Sequence, residues 1–330
     1  MTVATLPRLG FLGVGWIGRH RMEALVREDL AQVAAVADPQ PEALEAVAEL
    51  VPQAEQADGL EALLEHELDG IVIATPSALH AEQAVAALER GVAVFCQKPL
   101  ARDAEETRRV LEAARAADRL LGVDLSYRQV EALQATKATV RDGEIGLVHS
   151  LDLVFHNAYG PDKPWFTQPK LSGGGCLIDL GTHLVDLALW LSGASEYRVE
   201  TARTLSLRGH AVEDNATAEL SLGGEDEVRA RLACSWFQSA GGECAFECTA
   251  WGTDGAISVR NVGGSFYDFR AELWRGTTAE TLVDPPDAWG GRAIGAWATR
   301  LANDRGYDPA TDELELLASI LDDVYAEAGR

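Results

Sequence analysis

The sequence predicts an α/β chain of two domains, a doubly wound parallel sheet followed by an α+β domain with a mostly antiparallel sheet. Three observations carry this. Up to residue 123, short apolar runs alternate with amphipathic helical runs, the pattern of parallel strands covered on both faces by helices. The first apolar run ends in Gly13-x-Gly15-x-x-Gly18, and Asp38 closes the second. Beyond residue 123, apolar and polar residues alternate or pair between Gly-rich turns, as in antiparallel strands. A length of 330 residues accommodates two such domains.

In chain order, strands are expected at Arg8–Leu12, Gln32–Ala37, Gly70–Ala74, Ala93–Gln97 and Leu120–Leu125. Helices are expected between them at Ile17–Arg27, Pro41–Leu50, Gly59–His66, Ala78–Arg90 and Ala104–Ala117, where apolar residues recur at helical spacing. A helix at Val130–Asp142 and a strand at Leu147–Phe155 follow. Then come a loop rich in Pro, Gly and aromatics from Asn157 to Gly175 and a helix at Cys176–Leu191. Strand-like runs at Thr217–Leu222, Arg229–Phe237, Glu243–Thr249 and Ala256–Val259 are set off by Gly-containing turns. A last amphipathic helix covers 311–328. The expected domains are 1–123 and 124–330, with that last helix able to pack back on the first.

Each glycine of the first turn has its own task. Gly13 allows the tight exit from the strand, Gly15 lets a pyrophosphate approach the backbone, and Gly18 lets helix and strand pack closely. The helix that begins at Trp16 and Ile17 offers free N–H groups and a positive dipole end to phosphates. Asp38, twenty residues after Gly18, can accept both hydroxyls of an adenosine ribose. No Arg or Lys lies between Asp38 and Arg90, so a 2′-phosphate would meet the Asp38 charge without a local cation. NAD is therefore the expected cofactor, ahead of NADP. In a parallel sheet ligands bind beyond the carboxyl ends of the strands. This adds Thr75, Pro76, His80 and Gln97 to the residues expected around the cofactor.

Composition limits the partners. The net charge of −24 disfavours nucleic acid and anionic membranes. No run approaches the ~20 apolar residues of a membrane span. The N-terminus shows no basic segment followed by an apolar one, so a cytoplasmic location is expected. The five cysteines are then reduced, Cys244 and Cys248 share the inward face of one strand, and no zinc-spaced set is present.

Two further segments bear on chemistry. Lys98, one of only four lysines, follows a buried strand and precedes Pro99, which holds it extended at the cofactor side. Downstream, Gly173-Gly-Gly175 leads into a helix carrying Asp179 and His183, four apart and so on one face. Asp186 lies on the same side. A carboxylate beside an imidazole raises its proton affinity and fixes its orientation, which suits acid–base work near neutral pH. Arg128, His156, Asn157, Tyr159, Asp162, Lys163 and Trp165 lie in segments expected to face the same crevice.

The glycine turn with Asp38, Ala74-Thr-Pro-Ser-Ala-Leu-His80, Lys98-Pro99, and Gly-Gly-Gly with Asp179 and His183 together resemble the glucose–fructose oxidoreductase/inositol dehydrogenase (Gfo/Idh/MocA) family. Order and spacing match along nearly the whole chain. The resemblance implies an N-terminal Rossmann domain, a C-terminal domain with a large, mostly antiparallel sheet, and homodimers or homotetramers built through that sheet. It also implies NAD(P)-dependent oxidation or reduction of a hydroxyl on a sugar, cyclitol or related polyol. One departure stands out. The family usually has Glu-Lys-Pro, where this chain has Gln97-Lys98-Pro99. On this reading His183 is the general acid/base, Asp179 its partner, and Lys98 the group holding the reacting oxygen, with Lys98 as proton acceptor the alternative. Two other functions share the same cofactor site: an NAD-dependent glycosidase working by transient oxidation at C3, and a non-catalytic NAD-binding regulator.

Overall fold

A computed structural model describes residues 6–224 and 227–329. The chain forms two compact units. One contains the residues up to Ser126 together with Gly290–Glu315, and the other Tyr127–Trp289 with the residues from Leu316 onward.

The first unit is built on six parallel strands: β1 Arg8–Leu12, β2 Gln32–Ala37, β3 Glu55–Gln56, β4 Gly70–Ile73, β5 Ala93–Cys96 and β6 Leu121–Val123. Their order is β3-β2-β1-β4-β5-β6, so the chain reverses direction across the sheet between β1 and β4, where dinucleotides bind in such folds. Helices Trp16–Arg27, Pro41–Leu50, Ser77–Glu89 and Ala104–Ala117 connect the strands close to the expected positions. The two-residue β3 is too short to show a pattern. The helix Arg292–Asn303 was not anticipated. Its Ile294, Trp297, Ala298 and Leu301 are buried at helical spacing, and the Trp297 ring lies 5.5 Å from that of Phe95. This return of 290–315 is why a single division after residue 123 does not describe the chain.

Trp297 fits only because its neighbours lack side chains. A Cβ on Gly70 or Gly122 would come within 2.6 Å of the Trp297 ring. Gly122→Ala is therefore expected to destabilise the protein by about 1–3 kcal/mol through overpacking, measured as a lowered urea midpoint.

The second unit holds an eight-stranded sheet: β7 Val148–Asn157, β8 Tyr197–Leu205, β9 Asn215–Leu222, β10 Val228–Ser235, β11 Cys244–Gly252, β12 Ala256–Asn261, β13 Phe269–Arg275 and β14 Thr278–Val283. The order is β14-β13-β12-β11-β7-β10-β9-β8. Only β7 and β10 pair in parallel, and every other pairing is antiparallel. On β7, buried Leu151, Leu153, Phe155 and Asn157 alternate with half-buried Ser150, Asp152, Val154 and His156. The two sets face opposite sides of the sheet.

The buried set joins a core with the helices Glu131–Arg141 and Thr182–Ser192. The run from Pro169 to Ser192 does have the length and apolarity of a membrane span, contrary to the expectation of no such run, and 89% of its most apolar window is buried within the protein. Its apolarity is that of a core helix. The last helix, Glu313–Glu327, divides between the units: its first turn belongs to the first, with Leu314 in that core and Glu315 paired with Arg108 at 2.7 Å, and the rest from Leu316 onward belongs to the second. The five cysteines are free and buried, with Cys244 and Cys248 facing inward as their spacing requires.

Candidate active site

The cofactor half begins where β1 ends. Gly13 has φ +86°, a conformation that glycine adopts without steric cost, and its N–H donates to the Ala37 carbonyl at 2.8 Å. A Cβ on Gly18 would lie 2.2 Å from the Gly13 carbonyl oxygen, whereas one on Gly15 would meet nothing within 4 Å. Gly18 is thus required by packing, and open space remains above Gly15 at the head of the helix. The first turn of that helix carries no acidic residue, so no side chain of the turn itself offsets its N–H groups and dipole. Trp16, at its start, is 61% exposed and sits against His20, ring centroids 4.4 Å apart. Ile17 follows it within the helix.

Asp38 does more than its spacing suggested. One carboxylate oxygen accepts the Val14 N–H at 2.8 Å and the other the Gln40 N–H at 2.9 Å. It therefore clamps the glycine turn to the end of β2. Each oxygen keeps lone-pair capacity toward a ribose.

Two residues expected beside the cofactor act behind it. His80 is 1% exposed, with Nε2 2.7 Å from the Thr75 carbonyl and Nδ1 2.8 Å from that of Pro99. It braces two loops and has no surface to offer a ribose. Gln97 is also buried and donates its side-chain amide to Asp124. Thr75 and Pro76 lie on the loop after β4, with the Thr75 hydroxyl donating to Gln83 at 2.6 Å. The Lys98–Pro99 peptide is cis, and Lys98 is half-buried.

Burial, the larger effect, lowers the pKa of His80, while the two carbonyls oppose it. A histidine with a lower pKa in the folded protein leaves the unfolded chain binding more protons below about pH 6.5. Its contribution to stability is therefore complete above that pH and is lost as the pH falls. The urea midpoint is expected to drop between about pH 7.5 and 5.5, and to drop less in His80→Gln.

The substrate-side residues of the second unit begin with the three glycines. Gly173 has φ +84°. A Cβ on Gly174 would fall 2.0 Å from the Tyr325 hydroxyl, and one on Gly175 would fall 1.9 Å from the Glu213 carbonyl oxygen. The buried Glu213 carboxylate accepts the Gly175 N–H at 2.8 Å, the Leu177 N–H at 3.1 Å and the Tyr325 hydroxyl at 2.8 Å. Glu213 and Tyr325 were not singled out from the sequence. The glycine run announced a close neighbour, but the neighbour itself is 38 residues away in the chain.

From this anchor the chain makes a π-helical turn, Leu177–Gly181, before the helix Thr182–Ser192. Such turns are frequent at functional sites. Asp179 lies in the π turn, where its carboxylate accepts the Trp236 indole N–H at 3.0 Å. His183 is 6% exposed, its ring 4.6 Å from that of Tyr127 and 6.2 Å from that of Phe155. Burial, the largest cause, pushes the Tyr127 phenol well above its ordinary range, with Asp179 adding to the shift. Tyr127 therefore stays a neutral hydroxyl beside His183.

Other expected substrate contacts have structural tasks. The Arg128 guanidinium holds the buried Asp186 carboxylate, with Nε 3.0 and 3.1 Å from its two oxygens. This ties the turn Ser126–Gln129 to the helix carrying His183. The Asn157 side-chain oxygen accepts the N–H groups of Tyr159 and Gly160 at 2.8 and 2.6 Å, closing the turn after β7. His156, through strand alternation, lies on the opposite face of the sheet from Phe155 and so away from His183. There its Nδ1 is 2.8 Å from the Ser235 hydroxyl, and burial lowers its pKa. Trp165 stacks on Phe166 at 3.9 Å, and Phe166 meets Trp236 edge-on at 6.3 Å, so this loop reaches the surroundings of Asp179. Tyr159 is exposed. Asp162 pairs with its neighbour Lys163 at 3.0 Å.

Comparisons with known proteins agree with the fold. Residues 7–125 match the oxidoreductase family with an NAD-binding Rossmann fold, and residues 133–258 match the GFO/IDH/MocA C-terminal domain. The chain is 31% identical to the rhizopine catabolism protein MocA of Rhizobium meliloti over 201 residues, 60% of this chain and 61% of that protein. It spans, in other words, about three fifths of that relative. It is 29% identical to a D-apiose dehydrogenase of Paraburkholderia graminis over 303 residues, 87% of this chain and 76% of that one. The fold matches that of KijD10, a 3-ketoreductase from Actinomadura kijaniata, with a TM-score of 0.85 over 98% of both chains at 23% identity. The chain belongs to the Gfo/Idh/MocA family, its first domain that family's NAD-binding Rossmann fold and its second the family's C-terminal domain.

Proposed function

We propose that this chain is an NAD-dependent dehydrogenase or reductase acting at a secondary hydroxyl of a sugar, cyclitol or related polyol. The observation that carries the cofactor reading is the Asp38 carboxylate, fixed against the glycine turn by Val14 and Gln40, beside open space at Gly15. These features fit a dinucleotide with a free adenosine ribose. Asp38 would take the ribose hydroxyls, and the N–H groups at the head of the helix Trp16–Arg27 the pyrophosphate. When bound, the nicotinamide supplies a hydride acceptor for a carbinol carbon.

The chain's own residues handle the proton and the oxygen. Lys98 hydrogen-bonds the reacting oxygen and stabilises negative charge as it develops. His183 takes the hydroxyl proton in oxidation and returns it in reduction. Asp179, itself oriented by Trp236, binds the substrate beside His183. Burial among Tyr127 and Phe155 excludes water from the imidazole and strengthens its polar contacts.

The reading is tested by turnover with a panel of polyols and sugars using NAD and NADP, followed by reduced-nicotinamide absorbance. Reduction of NAD by at least one polyol, with NADP the poorer cofactor and Asp38→Ser narrowing the difference, supports it. Preference for NADP in the wild-type protein contradicts the role given to Asp38.

A further inference from the structure

Lys98 lies between two neighbours that are both held by buried polar groups. On one side, the Pro99 carbonyl lies 2.8 Å from Nδ1 of the buried His80. On the other, the Gln97 amide donates to Oδ2 of Asp124, which also takes the Arg21 Nε–H at 2.6 Å. Asp124 is 1% exposed, and Arg21 and Gln97 are both buried. The other Asp124 oxygen is buried without a hydrogen-bond partner among the described residues. The carboxylate thus depends on two donors, and the loss of either costs much of its compensation. Burial raises the neighbouring Cys96 thiol, and the Asp124 carboxylate raises it further.

The charges of this cluster close. Arg21 and Asp124 cancel, and Gln97 adds none. An acid at 97 would set two carboxylates against one guanidinium in a buried place, where like charges cannot both stay ionised. The amide at 97 and the carboxylate at 124 are therefore complementary choices, one donor and one acceptor. We propose that Asp124, acting through the Gln97 side chain, is a positioning residue for Lys98, and that this pair supplies in reverse what an acid at 97 facing an amide at 124 would supply. The proposal rests on the reading of Lys98 as the group that handles the substrate oxygen.

The test exchanges the two side chains. Gln97→Glu, Asp124→Asn and the double variant are treated with trinitrobenzenesulfonate, and modification of Lys98 is read by peptide mass spectrometry against the exposed Lys163. Each single variant is expected to change the Lys98/Lys163 reactivity ratio by about threefold or more, and the double variant to return it to wild type. A ratio unchanged in both single variants, even with lower urea midpoints, reduces the cluster to a structural role and overturns the proposal. So does a double variant that combines the two single effects. Lys98→Ala separates the underlying reading. If it keeps wild-type turnover, the reading of Lys98 fails and the pair positions a lysine with no part in the reaction. If it is inactive while the reactivity ratio never moves, only the positioning proposal fails.

Discussion

His183→Asn is expected to lower kcat by about 10²–10⁴-fold, the usual contribution of a positioned acid/base, while leaving NAD binding near wild type. The imidazole sits in a buried aromatic setting against Tyr127 and Phe155, on a helix whose entry is pinned by Glu213. Tyr127 is held neutral by burial, and Asp179 receives the Trp236 N–H. Asparagine keeps a polar side chain there, so a matching urea midpoint will show that lost turnover is chemical. Activity within about tenfold of wild type removes His183 from the acid/base role. Lys98→Met provides the companion measurement, and a loss confined to the lysine variant would make Lys98 the proton acceptor.

Arg128→Ala is expected to cost about 3–5 kcal/mol of stability, because it removes a guanidinium that pairs with the buried Asp186 carboxylate. Arg128 was a reasonable candidate for substrate binding, being a cation in a turn at the start of the second unit. The structure instead commits its guanidinium to Asp186, through Nε at 3.0 and 3.1 Å. Urea denaturation decides between the two tasks. A large drop in the midpoint, partly recovered in Arg128→Met/Asp186→Leu, is the result for a buried structural pair. Wild-type stability with a raised KM is the result for a substrate contact.

What the sequence revealed was mostly local. The glycine turn, Asp38 and the alternation of β1, β2, β4 and β5 with their helices are encoded in contiguous residues. Each could be placed because its physical requirement is met within a few positions. The strands β8, β13 and β14 were not placed: β13 does carry a readable alternation, whereas β8 and β14 form the two ends of the second sheet. Tyr197–Leu205 has no fully buried residue, and Thr278–Val283 is almost wholly exposed, so neither shows a hydrophobic face. The helix Arg292–Asn303 does carry a readable apolar spacing, but it follows directly on Pro285-Pro286 and Gly290-Gly291, a stretch that reads as loop.

The site divides in the same way. Lys98, Asp179 and His183 stood out as candidates because unusual residue types sit beside strong backbone signals. His80, Gln97, Arg128, Asn157 and His156 have chemistry equally suited to a site, but their roles depend on partners distant in sequence or on which face of a strand they occupy. For Gln97 that partner is Asp124, and for Arg128 it is Asp186. Conversely, Glu213 carried no local motif, yet it fixes the turn that presents Asp179.

The most direct test of hydride transfer from a polyol carbinol to NAD uses polyols and glycosides carrying deuterium at their carbinol carbons. Wild-type protein is incubated with NAD and each substrate, and both products are read by mass spectrometry. The account predicts one deuterium in the reduced nicotinamide and a ketone at the carbon that lost it. Unchanged NAD with release of an aglycone, or tight NAD binding with no turnover across the panel, would contradict it.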